Sequence, residues 1–262
     1  MKALLRRLDS RIFRGGLARL YRKRLKYWVR RVPRVRSPDC FPPSEKADDT
    51  GLLAYGGLLD GEWMLKAYRQ GIFPYFYADE PILWWAPRSR GIFRTGQFRL
   101  QNNMLRFLKK NRRQVTFDRA FGEVVRRCRD TRPDEVWLNE RIIGVYQALH
   151  ETGHAHSVET WDGDRMTGGL FGVVIGCYFS LESMFSIEDQ ASKIAMAVLA
   201  QQYLQTGERV IDTQFPARHF LEWGATDMPR AQYMPLIEAA MGAADADSFW
   251  ERVAGGVYTV LA

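Results

Sequence analysis

Three places in this chain hold side chains whose types and spacing could carry chemistry. Asp212 and Gln214 stand two apart at the end of the apolar run Val210–Asp212, which predicts a short strand. Side chains two apart on a strand share a face. Taken alone, the pair reads as two polar residues capping that strand. Glu182 is followed by Ser183, which could form a nucleophilic triad with His219 and Asp212. The neighbours Leu181 and Phe185 lack the glycines of a nucleophile elbow, however, so a hydrolase ranks low. Glu182 by itself reads as an exposed ion-pairing carboxylate. The third place is His150, His154 and His156 with Glu159 nearby, which could be drawn as a metal cluster. Structural histidines are the stronger reading, and no metal is expected.

A further group, Arg106, Lys109, Lys110, Arg112 and Arg113, is a basic run. It suits contact with a nucleic-acid backbone rather than base reading. A run of this kind is usually a solvated face.

The elements that must position these groups alternate in type. Helices are predicted over Asp60–Gln70, Asn102–Lys110, Ala120–Cys128, Glu140–Thr152 and roughly Gln190–Thr206. Strands are predicted over Ile82–Trp85, Gln114–Phe117, His156–Trp161, Arg165–Ile175, Cys177–Leu181 and Val210–Asp212, with a turn at Gly163. The order suggests an α+β fold with antiparallel hairpins in its middle. Residues 37–88 open on a Pro- and Asp-containing lead-in, and a second unit follows over 89–262.

Charge divides the chain differently. Of its 38 Lys and Arg, 14 fall within residues 1–36 against the single acid Asp9, leaving 24 against 29 acids for the rest. The body is therefore mildly acidic, and any contact it makes with phosphate must come from a local patch. Residues 1–36 read as a basic amphipathic extension, suited to a membrane surface, to RNA, or to an Arg-rich address. Cys40, Cys128 and Cys177 form no C-x-x-C pair, so a reducing cytoplasm is the natural setting. The longest apolar stretch, Gly168–Leu181, is too short to cross a bilayer.

Several blocks agree in order and spacing with one family. They are Gly51-Leu52-Leu53-Ala54, Tyr68-Arg69-Gln70-Gly71-Ile72-Phe73-Pro74, Pro81-Ile82-Leu83-Trp84-Trp85, Leu149-His150-Glu151 with Gly153-His154-Ala155-His156-Ser157, Glu182-Ser183-Met184-Phe185-Ser186, Ala191-Ser192-Lys193, and Ile211-Asp212 with Gln214. In these the chain resembles the leucyl/phenylalanyl-tRNA–protein transferases. The resemblance implies a small N-terminal domain joined to a GNAT-like acyltransferase domain. It also implies transfer of Leu or Phe from charged tRNA to the N-terminal Arg or Lys of acceptor proteins, in N-end-rule degradation. Such a reaction uses an already activated ester and needs no cofactor, so positioning and deprotonating the amine are the enzyme's main tasks.

By similarity Asp212, Gln214 and Glu182 are the catalytic group. Asp212 would orient the amine and receive its charge, and Tyr75, Trp137, Leu170, Phe179 and Met184 would line the pocket for the donor side chain. Met is suited to accept both Leu and Phe. The basic run would meet the acceptor stem, and a monomer is expected. The sequence departs from the family pattern at Tyr75, where Trp is usual, and at Leu181, where Gly is usual and a larger side chain is expected to narrow the site. Two other readings compete. One is a silent paralogue that binds tRNA or a membrane. The other is an acetyl-CoA-dependent acetyltransferase, which requires a Gly-rich pyrophosphate loop. The equivalent stretch, Phe185–Lys193, contains no glycine.

Overall fold

A computed structural model describes residues 31–78, 80–100, 102–110, 113–132, 137–205, 207–243 and 246–259. Most of the basic extension, with its proposed membrane or RNA contact, lies outside these residues, as does Arg112. The chain forms two compact units. One takes the chain up to Ala86 together with Arg132–Asn139, and the other takes Pro87–Thr131 and the chain from Glu140 onward. The second unit is thus interrupted in sequence by Arg132–Asn139.

In the first unit, β1 (Arg34–Val35) runs parallel to β2 (Leu52–Gly56), and β3 (Phe73–Pro74) and β4 (Leu83–Trp85) complete a sheet ordered β1-β2-β4-β3. Val35 is buried in it, so the end of the basic segment belongs to the sheet rather than to an appendage. Helix α1 (Gly61–Arg69) starts where the Asp60 carboxylate accepts from the Trp63 N–H at 2.9 Å. Its buried Trp63 stacks on Trp84 at 6.0 Å, with the Phe41 ring edge-on to both.

The second unit is built on seven strands. These are β5 (Ser89–Arg94), β6 (Gln114–Phe117), β7 (Ala155–Asp162), β8 (Arg165–Ile175), β9 (Tyr178–Ser186), β10 (Val210–Asp212) and β11 (Thr226–Pro229), ordered β11-β5-β10-β9-β8-β7-β6. Every pairing is antiparallel except β9 with β10. The helices are α2 (Asn102–Lys110), α3 (Phe121–Asp130), α4 (Glu140–Glu151), α5 (Ala191–Tyr203), α6 (Arg218–Glu222), α7 (Arg230–Gly242) and α8 (Ala246–Val253).

Helix α5 is apolar almost all round and correspondingly buried, packing with Leu170, Val174, Phe179, Leu181 and Ile211 on one sheet face. Gly168 permits this approach, because a Cβ there would sit 2.5 Å from that of Ala191. The opposite face carries α3 and α4, whose Phe121 and Tyr146 rings meet Phe171 edge-on. Among the described residues no helix is long and apolar enough to cross a membrane.

Candidate active site

The register of β8 on β9 breaks once. Phe171 faces Ser183 and Gly172 faces Leu181, so Glu182 is the extra residue of a β-bulge. A bulge re-aims its residue out of strict alternation. The Glu182 carboxylate is consequently gathered into a polar cluster. Its Oε2 accepts from the Tyr146 hydroxyl at 2.8 Å, and its Oε1 from the Ser180 hydroxyl at 2.8 Å and the Gln214 side-chain amide at 2.9 Å. Glu182 is half-buried, which leaves it reachable.

Asp212 ends strand β10, where the sequence places it. It is fully buried on β10, opposite Ile92 of β5 and Ser180 of β9. Arg90 and Tyr178 lie one diagonal step away on the two neighbouring strands, within side-chain reach. Both donate to Oδ2, the Arg90 guanidinium as an ion pair and the Tyr178 hydroxyl at 2.8 Å. Oδ1 accepts from the backbone N–H of Gln214 at 2.7 Å. Both oxygens of this carboxylate are thus engaged inside the protein, and neither is exposed. The Oδ1 contact holds the backbone of Gln214, which sits in the left-handed region at φ 60°, a conformation costly for a residue with a side chain.

Burial disfavours the Arg90 cation, but the adjoining Asp212 charge outweighs it and holds the guanidinium above its ordinary pKa. Burial, and then the Asp212 charge, push the Tyr178 phenol well above its usual value, so it remains a donor. Arg90, Tyr178, Tyr146 and Ser180 were not singled out by the sequence. The diagonal pairing that exposes their roles joins segments more than 80 residues apart for Arg90 and Tyr178.

The expected pocket residues fall in both units. In the first unit, the Tyr75 and Trp137 rings lie 5.6 Å apart. In the second, Leu170 and Phe179 are fully buried on the α5 face, Phe179 against Trp250 and Tyr203, and half-buried Met184 pairs with Leu170. Leu170 and Phe179 are thus core residues on the face opposite Ser180. Leu181 lies in the same core, so its side chain does not narrow the Glu182 cluster.

Of the basic run, Arg106 is exposed on α2. Arg113 pairs with the Glu188 carboxylate and donates to the Asp189 carbonyl, which ties its charge within the protein. Lys109 and Lys110 complete α2.

The histidines also regroup. His156 Nδ1 lies 2.6 Å from Asp118 Oδ2 and its ring stacks on Trp250 at 4.0 Å. His150 Nδ1 lies 2.8 Å from the Ala155 carbonyl, with its ring stacked on Phe121 at 4.2 Å. Asp118, His150 and His156 are close enough to share a cation, but these hydrogen bonds already satisfy the Nδ1 atoms. His154 faces solvent-side atoms of Thr152 instead. Glu159 is buried elsewhere, accepting from Thr116, Ser157 and the N–H groups of Arg119 and Ala120, and so caps α3 in place of the absent side-chain cap at Ala120. Burial raises its pKa.

Comparison with known proteins decides the family. The family model for leucyl/phenylalanyl-tRNA protein transferases matches residues 92–238, and that for their N-terminal domain matches 57–88. The chain belongs to the leucyl/phenylalanyl-tRNA–protein transferase family. One family member, from Klebsiella pneumoniae, is 40% identical over 224 residues, which cover 85% of this chain and 96% of the relative. Another, from Syntrophotalea carbinolica, is 43% identical over 203 residues, 76% of this chain and 88% of the relative. A third, from Photobacterium profundum, is 43% identical over 200 residues, covering 75% and 84%. All three carry the transferase family's name, and the matched regions include Glu182, Asp212 and Gln214 within residues 92–238.

Proposed function

We propose that this chain transfers Leu or Phe from the 3′ ester of charged tRNA to the N-terminal α-amine of proteins beginning with Arg or Lys, in the cytoplasm. Family membership supports the reaction class. The observation that carries the residue assignment is the bulged Glu182 carboxylate, held by Tyr146, Ser180 and Gln214. The GNAT-like character of the second unit is part of the same proposal.

The acceptor amine has an ordinary pKa of about 7.7–8.0 and must be neutral to attack. In this reading Glu182 accepts a hydrogen bond from the amine and carries the charge that develops on its nitrogen. Gln214, fixed by Asp212, holds Glu182 in place. The new C–N bond forms at the ester carbonyl, the C–O bond to ribose breaks, and the departing ribose oxygen takes up the proton that the amine loses. Arg106 with Lys109 and Lys110 meets tRNA phosphates.

The test is transfer of labelled amino acids from a mixed pool of charged tRNAs to peptides beginning with Arg, Lys, Asp or Ala. Label from Leu- or Phe-tRNA on Arg and Lys peptides alone is expected. A different donor or terminus would overturn the specificity, and tRNA binding without any transfer would favour a silent paralogue.

A further inference from the structure

Lys193 belongs to a family-like block, Ala191-Ser192-Lys193, that the chemistry above leaves unused. It borders a concavity of about 180 Å³ in the second unit. Phe107 of α2 and Trp223 at the end of α6 give this concavity aromatic walls, and Gln190, Lys193, His219 and Glu222 give it polar edges. Phe107 is half-buried and His219 exposed, so the space opens to solvent. The Lys193 ammonium donates to the neutral Gln190 side-chain oxygen at 3.0 Å, and no carboxylate pairs with it among the described residues. Glu222, by contrast, accepts from Arg218 at 2.8 Å, which offsets its charge. The pocket thus sets a lysine hydrogen-bonded to a neutral amide, and a carboxylate already engaged by Arg218, beside aromatic side chains, and the same α2 that supplies Phe107 carries exposed Arg106 and no acid in its first turn.

Aromatic side chains beside a phosphate-binding cation form the usual platform for an unpaired nucleotide. Bases stack on the rings whatever their identity, and amide and imidazole groups meet the base edges. A cationic peptide terminus would need an uncompensated carboxylate, which Glu222 does not provide. The pocket is also tethered to the reaction centre. His219 follows Gln214 by five residues, a separation of at most about 17 Å even if the chain were fully extended.

We propose that this pocket holds a nucleobase of the single-stranded 3′ segment of the donor tRNA, upstream of the aminoacylated nucleotide, stacked on half-buried Phe107 over the buried Trp223 at the pocket's floor, with Lys193 on the adjoining phosphate. The assignment rests on the transferase reading above. It makes Phe107 and Lys193 donor-recognition residues that take no part in the chemistry.

The test compares two donors, full charged tRNA and an aminoacyl-adenosine ester that lacks the upstream nucleotides, in wild type, Lys193→Ala and Phe107→Ala. With charged tRNA, kcat/KM is expected to fall about tenfold in each variant, carried by KM. With the adenosine ester it should stay at the wild-type value. Equal losses on both donors, or a loss confined to the KM of the acceptor peptide, would overturn the proposal, the latter indicating a peptide site. Binding of the trinucleotide CCA, followed by tryptophan fluorescence, separates this failure from failure of the transferase reading. If wild type transfers from neither donor, a roughly tenfold weaker affinity in Lys193→Ala still supports the pocket, and an unchanged affinity removes it.

Discussion

Replacing Arg90 by methionine leaves the buried Asp212 carboxylate with Tyr178 and a backbone N–H but no cation. Removing one partner of such a pair costs about 3–5 kcal/mol. Urea unfolding of Arg90→Met should show that loss, and Arg90→Met combined with Asp212→Leu should recover much of it. A double variant no more stable than the single one would mean that the pair is not its source. Glu182 answers to a different measurement, because it is half-buried and accepts from Tyr146, Ser180 and Gln214 rather than from a buried cation such as Arg90. Glu182→Gln keeps the shape but cannot accept developing positive charge. A fall in kcat of about 100-fold or more is expected with tRNA affinity intact, and parallel loss of both would remove the residue from its assigned place. Two carboxylates on neighbouring strands thus differ in access, Asp212 being fully buried and Glu182 half-buried.

At the scale of elements, Glu159 joins β7 to the start of α3 and carries a raised pKa caused first by burial. Between the ordinary value near 4.5 and that raised value the folded state binds more protons than the unfolded one, so stability falls as pH rises. The unfolding free energy of wild type relative to Glu159→Gln should therefore decline from about pH 4.5 upward and then level off. A flat difference across that range would place the perturbation elsewhere. Gly168→Ala is expected to lower Tm, since the new methyl would lie 2.5 Å from Ala191 Cβ and 2.8 Å from the Ser192 nitrogen. An unchanged Tm would show that α5 can retreat freely.

Much of this architecture was legible beforehand. The helices at 102–110 and 140–151 and the hairpin strands from 155 to 186 follow directly from apolar period and turn residues. What escaped had physical reasons. Strand β5 carries Arg90 and Arg94, which read as surface, while α7 carries Pro235 inside it and so reads as broken. The bulge at Glu182 leaves no mark on the sequence pattern, and simple alternation cannot reveal that Leu170 and Phe179 turn to the α5 core. The family blocks identified Asp212, Gln214 and Glu182, but the distinction between holding and reacting depends on burial alone.

At the scale of the molecule, Trp137 belongs to the first unit although the chain around it belongs to the second. Its ring lies against Tyr75, which in turn faces Tyr77 at 6.1 Å. Hydrogen exchange on Trp137→Ala should accelerate in β3 and β4, with β6 and α3 unaffected; acceleration in the reverse pattern would contradict the division. The return of Arg132–Asn139 to the first unit also bears on how the protein matures. On the ribosome, domains generally fold in the order in which they emerge. Here the first unit stays incomplete until Asn139 appears, by which point β5, β6 and α3 of the second have already been made. The two must take shape in overlapping order, and a gene fusion that cut the coding sequence after Ala86 would inherit an unfinished piece.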